Sequence, residues 1–156
     1  MDVLIRRYNA DDLPDLVQLF RDTVHAINAK DYTPEQLNAW APATIDAERW
    51  GQKLLAHYTL VAKINGVLCG FADIDDTGYF DHLFVHKNYQ GKGIAGKLVA
   101  AIEAHALQNS YKRITVAVSI TAKTFFLQKG YTIISPQQVP YNGQVFTNYF
   151  MDKKII

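Results

Sequence analysis

The chain has 156 residues, of which 49% are hydrophobic and 20% are charged, a composition typical of one folded globular domain with a sizeable core. Its formal net charge of +1 gives no general attraction to nucleic acid or to a membrane surface, so we expect neither as a partner. The apolar runs are too short to span a bilayer, and the start of the chain lacks the basic and apolar regions of a signal peptide. A single cysteine, Cys69, allows no internal disulfide, and we expect a cytoplasmic protein that is a monomer or a homodimer.

The first part of the chain predicts one strand followed by three helical pieces. Residues 3–8 predict the strand, and the helix after it runs from 13 to about 29, because its apolar residues recur every three and four positions. Thr33 is expected to cap a short second helix that begins at Pro34 and ends before Pro42. A third helical stretch covers residues 44–54.

The middle and end of the chain predict a sheet interrupted by helices. Residues 58–64 and 67–74 predict a hairpin, because the Asn65-Gly66 pair between them is a strong type I′ turn signal. A third strand ends at Val85, and a parallel crossover is expected to return at 111–118. The last elements are a helix at 121–129 and strands at 131–134 and 146–151. This order predicts one mixed α/β domain over residues 1–156.

A glycine-rich turn joins the strand that ends at Val85 to a long helix. Strand, glycine turn and helix in that order form an anion site, because the turn's N–H groups and the helix dipole favour negative charge. Gly91 and Gly93 would let a phosphate approach the backbone closely. The P-loop pattern fails here. The Rossmann pattern GxGxxG matches formally, but the strand at 114–118 carries no acidic residue.

The same turn resembles the signature of the GCN5-related N-acetyltransferases, which is Gln or Arg, two residues, Gly, one residue, then Gly or Ala. Gln90, Gly93 and Ala95 occupy these positions, and the preceding strand fits the family as well. The resemblance covers most of the chain and is nearest to small bacterial members that carry Asp-His-Leu-Phe-Val and Ser-Ile-Thr-Ala. It implies a mostly antiparallel mixed sheet, splayed at the cofactor site and flanked by helices.

The resemblance also implies transfer of an acetyl group from acetyl-coenzyme A to a primary amine of a small molecule or peptide, by direct attack on the thioester. The glycine loop would hold the pyrophosphate, and the edge of the preceding strand would pair with the pantetheine arm. The residues expected to bind the cofactor are Leu83, Phe84, Val85, Gln90, Gly91, Lys92, Gly93, Ile94, Ala95, Gly96 and Ser119.

Two neighbouring residues are candidates for the base. Asp81 stands where family members often carry a carboxylate, and His82 has an ordinary pKa closer to neutrality. Side chains of adjacent strand residues point to opposite faces, so only one of them is expected to face the thioester unless a bulge intervenes. Asp81 is the favoured one.

The family's proton-donating tyrosine is replaced here by Phe126, and its usual asparagine by Ser119. Either the thiolate leaves unassisted, or a hydroxyl of Ser119, Thr121 or Tyr141 protonates it. A non-catalytic sensor of acyl-coenzyme A is the alternative function that this departure suggests.

The resemblance implies that the acceptor lies beneath the three helical pieces. There Tyr32, Trp40 and Tyr141 could form an aromatic pocket for a cation or a flat ring. Plain core packing is the other interpretation of Trp40 and Trp50. We expect no metal site, because no His, Cys or Asp cluster has the spacing of metal ligands.

Overall fold

A computed structural model describes residues 2–156, which form seven strands and five α-helices. The strands are β1 (Leu4–Arg7), β2 (Tyr58–Ile64), β3 (Val67–Ile74), β4 (Tyr79–Val85), β5 (Arg113–Ser119), β6 (Thr132–Tyr141) and β7 (Gln144–Lys154). The helices are α1 (Leu13–Ile27), α2 (Pro34–Trp40), α3 (Ala47–Ala56), α4 (Ile94–Gln108) and α5 (Lys123–Gln128).

All seven strands belong to one sheet, in the order β1-β2-β3-β4-β5-β7-β6. The pair β4–β5 is parallel and the other five pairs are antiparallel. The mixed, mostly antiparallel α/β fold predicted from the sequence is therefore confirmed. No helix within residues 2–156 combines the length and the apolar character that a membrane crossing needs.

Local sequence signals set the starts of the helices. The Thr33 side chain accepts a hydrogen bond from Gln36 N, and the Gln36 side chain accepts one from Thr33 N. This capping box begins α2, with Pro34 in its first turn. Asp46 caps α3 by accepting from Arg49 N at 3.1 Å. Gly93 begins α4 in the left-handed conformation, with φ +77°.

The sheet buries both of its faces. Helices α1, α2 and α3 cover one face, where residues such as Val61, Phe71 and Phe146 belong to their core. Helices α4 and α5 cover the other face, where Leu60 and Ala62 belong to a second core. This alternation along β2 follows from the two-residue period of a strand.

The end of the sheet differs from the prediction in length. Residues 132–141 form one continuous strand, although prolines at 136 and 140 favoured a break after 134. β6 is the edge strand of the sheet and pairs only with β7. A proline on an edge strand removes no ladder hydrogen bond if its missing N–H faces solvent, which is why the strand continues.

Two irregularities of β4 shape the middle of the sheet. The parallel pairing with β5 is confined to Tyr79 with Thr115 and Phe80 with Val116, so the rest of β4 diverges from β5. On its other side, β4 pairs Phe80 with Ile74 and His82 with Asp73. Asp81 is therefore an extra residue, which makes a bulge.

Candidate active site

The gap between the diverging strands β4 and β5 opens into a cavity of about 580 Å³ under the helical cover. Asp81, His82, Leu83 and Phe84 of β4 line one wall, and Ser119 lies on the β5 side. We call this space the acceptor cavity. It lies beneath α2 and α3, which contribute Trp40, Arg49, Trp50 and Lys53 to its lining.

The bulge places Asp81 and His82 together in the acceptor cavity. In a regular strand they would point to opposite faces, but two bulged residues oppose one partner residue and both side chains turn to the same side. Asp81 Oδ2 lies 3.8 Å from His82 Nδ1, and both residues line the cavity. Both candidate bases therefore reach it.

A fully buried carboxylate lies behind His82. Asp73, the residue before the last in β3, is 0% exposed and accepts hydrogen bonds from two imidazoles. Its Oδ1 is 2.8 Å from His82 Nδ1, and its Oδ2 is 2.8 Å from Nδ1 of His57, the residue that follows α3. Burial raises the pKa of Asp73, but the two histidines outweigh it and hold that pKa at about 2.

The same contacts raise the pKa of both histidines above the ordinary value of 6.5. For His57 the hydrogen bond to Asp73 is the main cause. For His82 burial opposes protonation, and the nearby carboxylates of Asp73 and Asp81 overcome it. Nitrogen and oxygen atoms of His57, Asp73 and Asp81 lie within 4.8 Å of one another, and within this group His57 and Asp73 are joined by a hydrogen bond.

Asp81 forms an ion pair with a lysine of α3. Lys53 Nζ of α3 lies 3.2 Å from Asp81 Oδ2, and both residues line the acceptor cavity. Arg49, one helical turn before Lys53, also lines it, and its guanidinium makes no hydrogen bond or ion pair within residues 2–156. Two cations therefore stand on the α3 side of the cavity.

Aromatic rings form the rest of the cavity wall. The Trp50 ring lies 5.1 Å from the His82 ring, and the Trp40 ring lies 6.2 Å from that of Phe84. Both tryptophans pack against the helix-side core and also line the cavity. Tyr141 lines the rim of the cavity and is 53% exposed.

The buried hydroxyl of Tyr32 also reaches the acceptor cavity, but both of its hydrogen-bonding roles are taken. It donates to Thr147 O at 2.8 Å and accepts from Ile120 N at 3.0 Å. Burial raises its pKa. Tyr32 therefore links the residue after β5 to β7 and forms part of the cavity wall.

The expected proton donors occupy different surroundings. Phe126 lines the cavity, is buried, and packs its ring against those of Phe80 and Tyr131. Ser119 Oγ accepts from Ala122 N at 3.1 Å and keeps its own proton free to donate. Thr121 donates to Asp31 at 2.8 Å and does not line the cavity.

The glycine loop forms a second cavity of about 540 Å³, which we call the loop cavity. Gly91 and Gly93 have φ of +72° and +77°, and no other atom lies within 4 Å of the position that a Cβ would take at either one. N–H groups in the first turn of α4 have no intrahelical acceptor and face this space. Lys97 and Lys129 line it, so the site fits an anion such as a pyrophosphate.

The residues predicted to bind the cofactor separate into two groups. Those that line the loop cavity are Val85, Gln90, Gly91, Gly93, Ile94, Ala95 and Gly96. Those that line the acceptor cavity are Leu83, Phe84 and Ser119. Lys92 lines neither cavity, and Gln90 uses its side-chain amide to bond Val85 O at 2.6 Å, which closes the end of β4.

Sequence reasoning missed His57, Lys53 and above all Asp73. A signal for Asp73 exists, since it is the only charged residue in the β3 run Val67–Ile74. A carboxylate in a strand that is otherwise buried needs partners, because an unpaired buried charge is very costly. The identity of those partners depends on the strand register and was not legible in the sequence.

Comparisons with known proteins agree with this geometry. Residues 28–153 match the family model described as an acetyltransferase (GNAT) domain. The chain is 35% identical over 153 residues to "Uncharacterized N-acetyltransferase YafP" of Escherichia coli (strain K12), covering 98% of this chain and 97% of that protein.

Solved structures show the same fold. A GCN5-related N-acetyltransferase from Rhodopseudomonas palustris, also described as an aminotransferase of class II, superposes with a TM-score of 0.95 at 30% identity, over 99% of this chain and 96% of that one. The PaiA N-acetyltransferase of Thermoplasma acidophilum, in complex with coenzyme A, superposes with a TM-score of 0.81 at 18% identity, over 99% of both chains. This chain belongs to the GCN5-related N-acetyltransferase (GNAT) family.

Proposed function

We propose that this protein transfers an acetyl group from acetyl-coenzyme A to a primary amine by direct attack of the amine on the thioester. The observation that carries the proposal is the divergence of β4 from β5 after Phe80. It leaves residues 83–85 of β4 without a pairing strand on the β5 side. This stretch lies between the loop cavity and the acceptor cavity. One molecule with an anionic end and a reactive end can lie along this edge.

The loop cavity supplies the groups that a pyrophosphate needs. Gly91 and Gly93 leave room for close approach, the first turn of α4 offers N–H donors, and Lys97 and Lys129 offer positive charge. The geometry of the loop cavity alone would also fit other nucleotides. Membership of the family is what favours coenzyme A.

When bound, acetyl-coenzyme A supplies the thioester carbon that the amine attacks, with a new N–C bond forming as the C–S bond breaks. A backbone N–H of the unpaired β4 edge near Leu83 would hold the carbonyl oxygen and stabilise the charge that develops on it. Asp81 and His82, which share the acceptor cavity, form the pair from which the base is drawn.

The departing thiolate has no tyrosine to protonate it, because Phe126 occupies that position. Ser119 is the hydroxyl best placed to do so, since it lines the acceptor cavity and its proton is not committed to a partner. Thr121 is excluded by its hydrogen bond to Asp31 and its place outside the cavity.

The acceptor is an amine of a small molecule or peptide that carries an apolar part. Trp40 and Trp50 offer flat surfaces for that part, and Tyr32 and Tyr141 complete the wall. Arg49 and Lys53 favour an acceptor that also bears a negative group, which is why amino acids and acidic peptides belong in any acceptor screen.

The missing tyrosine favours a second candidate function, a sensor that binds acyl-coenzyme A without turning it over. A screen of primary amines with acetyl-coenzyme A separates the two, with release of free thiol and formation of N-acetylated amine as the readouts. The enzyme requires at least one amine that produces both in equal amounts. Tight binding of acetyl-coenzyme A with thiol release no faster than hydrolysis for every amine would support the sensor.

A further inference from the structure

We propose that Asp73 is a positioning residue for the acetyl transfer, and that it holds His82 in the tautomer whose Nε2 accepts a proton from the acceptor amine. The inference rests on the proposed function and adds the residues that carry its proton-transfer step. Asp73 lies on β3, outside the signature loop, and is not itself one of the residues that line the acceptor cavity, although it contacts His82, which does.

The hydrogen bonds at Asp73 fix the imidazole tautomer. An ionised carboxylate can only accept hydrogen bonds, so the Nδ1 atom of each histidine that contacts it must carry the proton. The contacts are 2.8 Å long for both His57 and His82, and Asp73 is fully buried, so water does not compete for its oxygens. A neutral His82 therefore has its lone pair on Nε2.

The free nitrogen of His82 reaches the acceptor cavity. Nε2 makes no hydrogen bond, and among residues 2–156 the fully buried side-chain polar atom without a partner is the hydroxyl of Tyr8. Nε2 is therefore open to solvent, and the cavity is the space that the His82 ring lines. Trp50 and Phe71 pack near the ring, at 5.1 and 5.9 Å, and restrict its rotation.

The charges around His82 suit a base for an ammonium group. Asp73 from β3 and Asp81 from β4 favour the imidazolium, Lys53 from α3 disfavours it, and His57 shares Asp73 from the other side. The result is a His82 pKa raised above the ordinary 6.5 of an imidazole, because the two carboxylates outweigh the effect of burial. Asp81 is less suited to the same task, because its Oδ2 is already engaged by Lys53 Nζ at 3.2 Å.

In this arrangement each proton that leaves the acceptor amine has a group to receive it. The acceptor enters as R–NH₃⁺ and gives one proton to His82 Nε2. Its nitrogen lone pair then forms the N–C bond, and the C–S electron pair leaves with sulfur. Ser119 gives its hydroxyl proton to the thiolate and takes up the second proton that the nitrogen loses. His82 then returns its own proton to solvent. Asp73 stays ionised throughout, and Asp81 remains available to orient the ammonium group.

Asp73→Asn tests the role directly, because it keeps the size of the side chain and removes its charge. We expect kcat to fall roughly 10²-fold, as for the loss of a general base. We expect the midpoint of the pH–rate profile to move to lower pH, because the carboxylate that raises the pKa of His82 is gone. The KM for acetyl-coenzyme A should hardly change. Asp12→Asn is the matched control, since Asp12 is also a buried carboxylate but lies outside both cavities.

The unaltered protein offers a second measurement that does not depend on a variant. ¹⁵N NMR of the imidazole nitrogens, above the pKa of His82, should show a protonated Nδ1 and an unprotonated Nε2. The opposite tautomer would overturn the proposal, as would an unshifted pH midpoint in an active Asp73→Asn enzyme. Turnover that disappears on chelation of divalent cations would also contradict it. If no amine is acetylated by the unaltered protein, the proposed function fails, while the NMR result still decides the role of Asp73 in orienting His82.

Discussion

Asp73 and His82 face each other across the β3–β4 pairing, with 2.8 Å between Oδ1 and Nδ1. The bulge at Asp81 sets this register, and it also turns Asp81 toward His82. One extra residue in β4 therefore brings a buried carboxylate, an imidazole and a second carboxylate to the point where the sheet opens. The chemistry that we propose depends on this local irregularity.

The first prediction compares the two candidate bases. His82→Gln keeps a polar side chain of similar size and removes the proton acceptor, so we expect kcat to fall about 10²–10⁴-fold. Asp81→Asn should cost less, about 10-fold, because the base is intact and only the orientation of the ammonium group is affected. Steady-state kinetics across pH measures both.

The pH dependence of the rate is the control that distinguishes the His82→Gln and Asp81→Asn variants. In the unaltered protein and in Asp81→Asn, the rate should rise with pH through an apparent pKa above 6.5, because a base must be unprotonated to act. His82→Gln should lose that rise. An Asp81→Asn enzyme that lost the larger factor, beside a His82→Gln enzyme of nearly full activity, would show that Asp81 is the base.

The second prediction concerns the glycine loop. Gly93→Val places a branched side chain in the loop cavity and strains a backbone with φ +77°, so we expect binding of acetyl-coenzyme A to be lost while the fold persists. Calorimetric titration measures the affinity. Gly66→Val is the matched control, because Gly66 has φ +78° with equally open surroundings but lies in the β2–β3 turn. Unchanged affinity in Gly93→Val would remove the loop from the cofactor site.

The sequence predicted the fold well because its signals are local. The type I′ turn at Asn65-Gly66, the cap at Thr33 and the glycine turn before α4 each act within a few residues. The length of β6 was missed, because whether a proline ends a strand depends on which edge it occupies. That property belongs to the whole sheet.

The site was predictable only in part, for the same reason. Asp81, His82 and the glycine loop lie close together in the sequence and could be singled out there. His57 and Asp73 join them only through the strand register and the position of α3. The bulge that brings Asp81 and His82 to the same side of β4 is not marked by any distinctive residue in the sequence.

The third prediction tests the position of the missing tyrosine. Phe126→Tyr adds a hydroxyl to a ring that lines the acceptor cavity, so we expect activity to be retained and thiolate departure to become faster. Phe150→Tyr is the control, because Phe150 lines neither cavity. Rate measurements are paired with thermal unfolding. A Phe126→Tyr protein that is less stable by roughly 1–3 kcal/mol and no faster would show that the new hydroxyl points into the core.

The fourth prediction concerns stability away from both cavities. Arg6 makes two hydrogen bonds of 2.8 Å to Asp12, which lowers the pKa of this buried carboxyl below 3.8. Asp12→Asn should reduce the free energy of unfolding at neutral pH by about 1–3 kcal/mol. The difference from the unaltered protein should shrink as pH falls below 3.8, because protonation then removes the same interaction.

Asp152→Asn is the control for Asp12. Asp152 also pairs with an arginine, Arg113, but the Arg113 side chain is 58% exposed. Exposed pairs contribute roughly 0–1 kcal/mol, so we expect a smaller loss. Chemical denaturation at several pH values measures both variants. Equal losses in the two variants, or a loss in Asp12→Asn that persists at low pH, would contradict the assignment.

We propose that the acetyl group passes directly to an amine in the acceptor cavity. A single-turnover experiment tests this transfer: excess protein is mixed with isotopically labelled acetyl-coenzyme A and an amine identified by the acceptor screen, and quenched samples are analysed by mass spectrometry. We expect labelled amide and free thiol to appear at the same rate, the protein never to gain the mass of an acetyl group, and His82→Gln to slow both products together. Acetylated protein that forms and decays at a rate matching product formation, or thiol release without labelled amide, would contradict it.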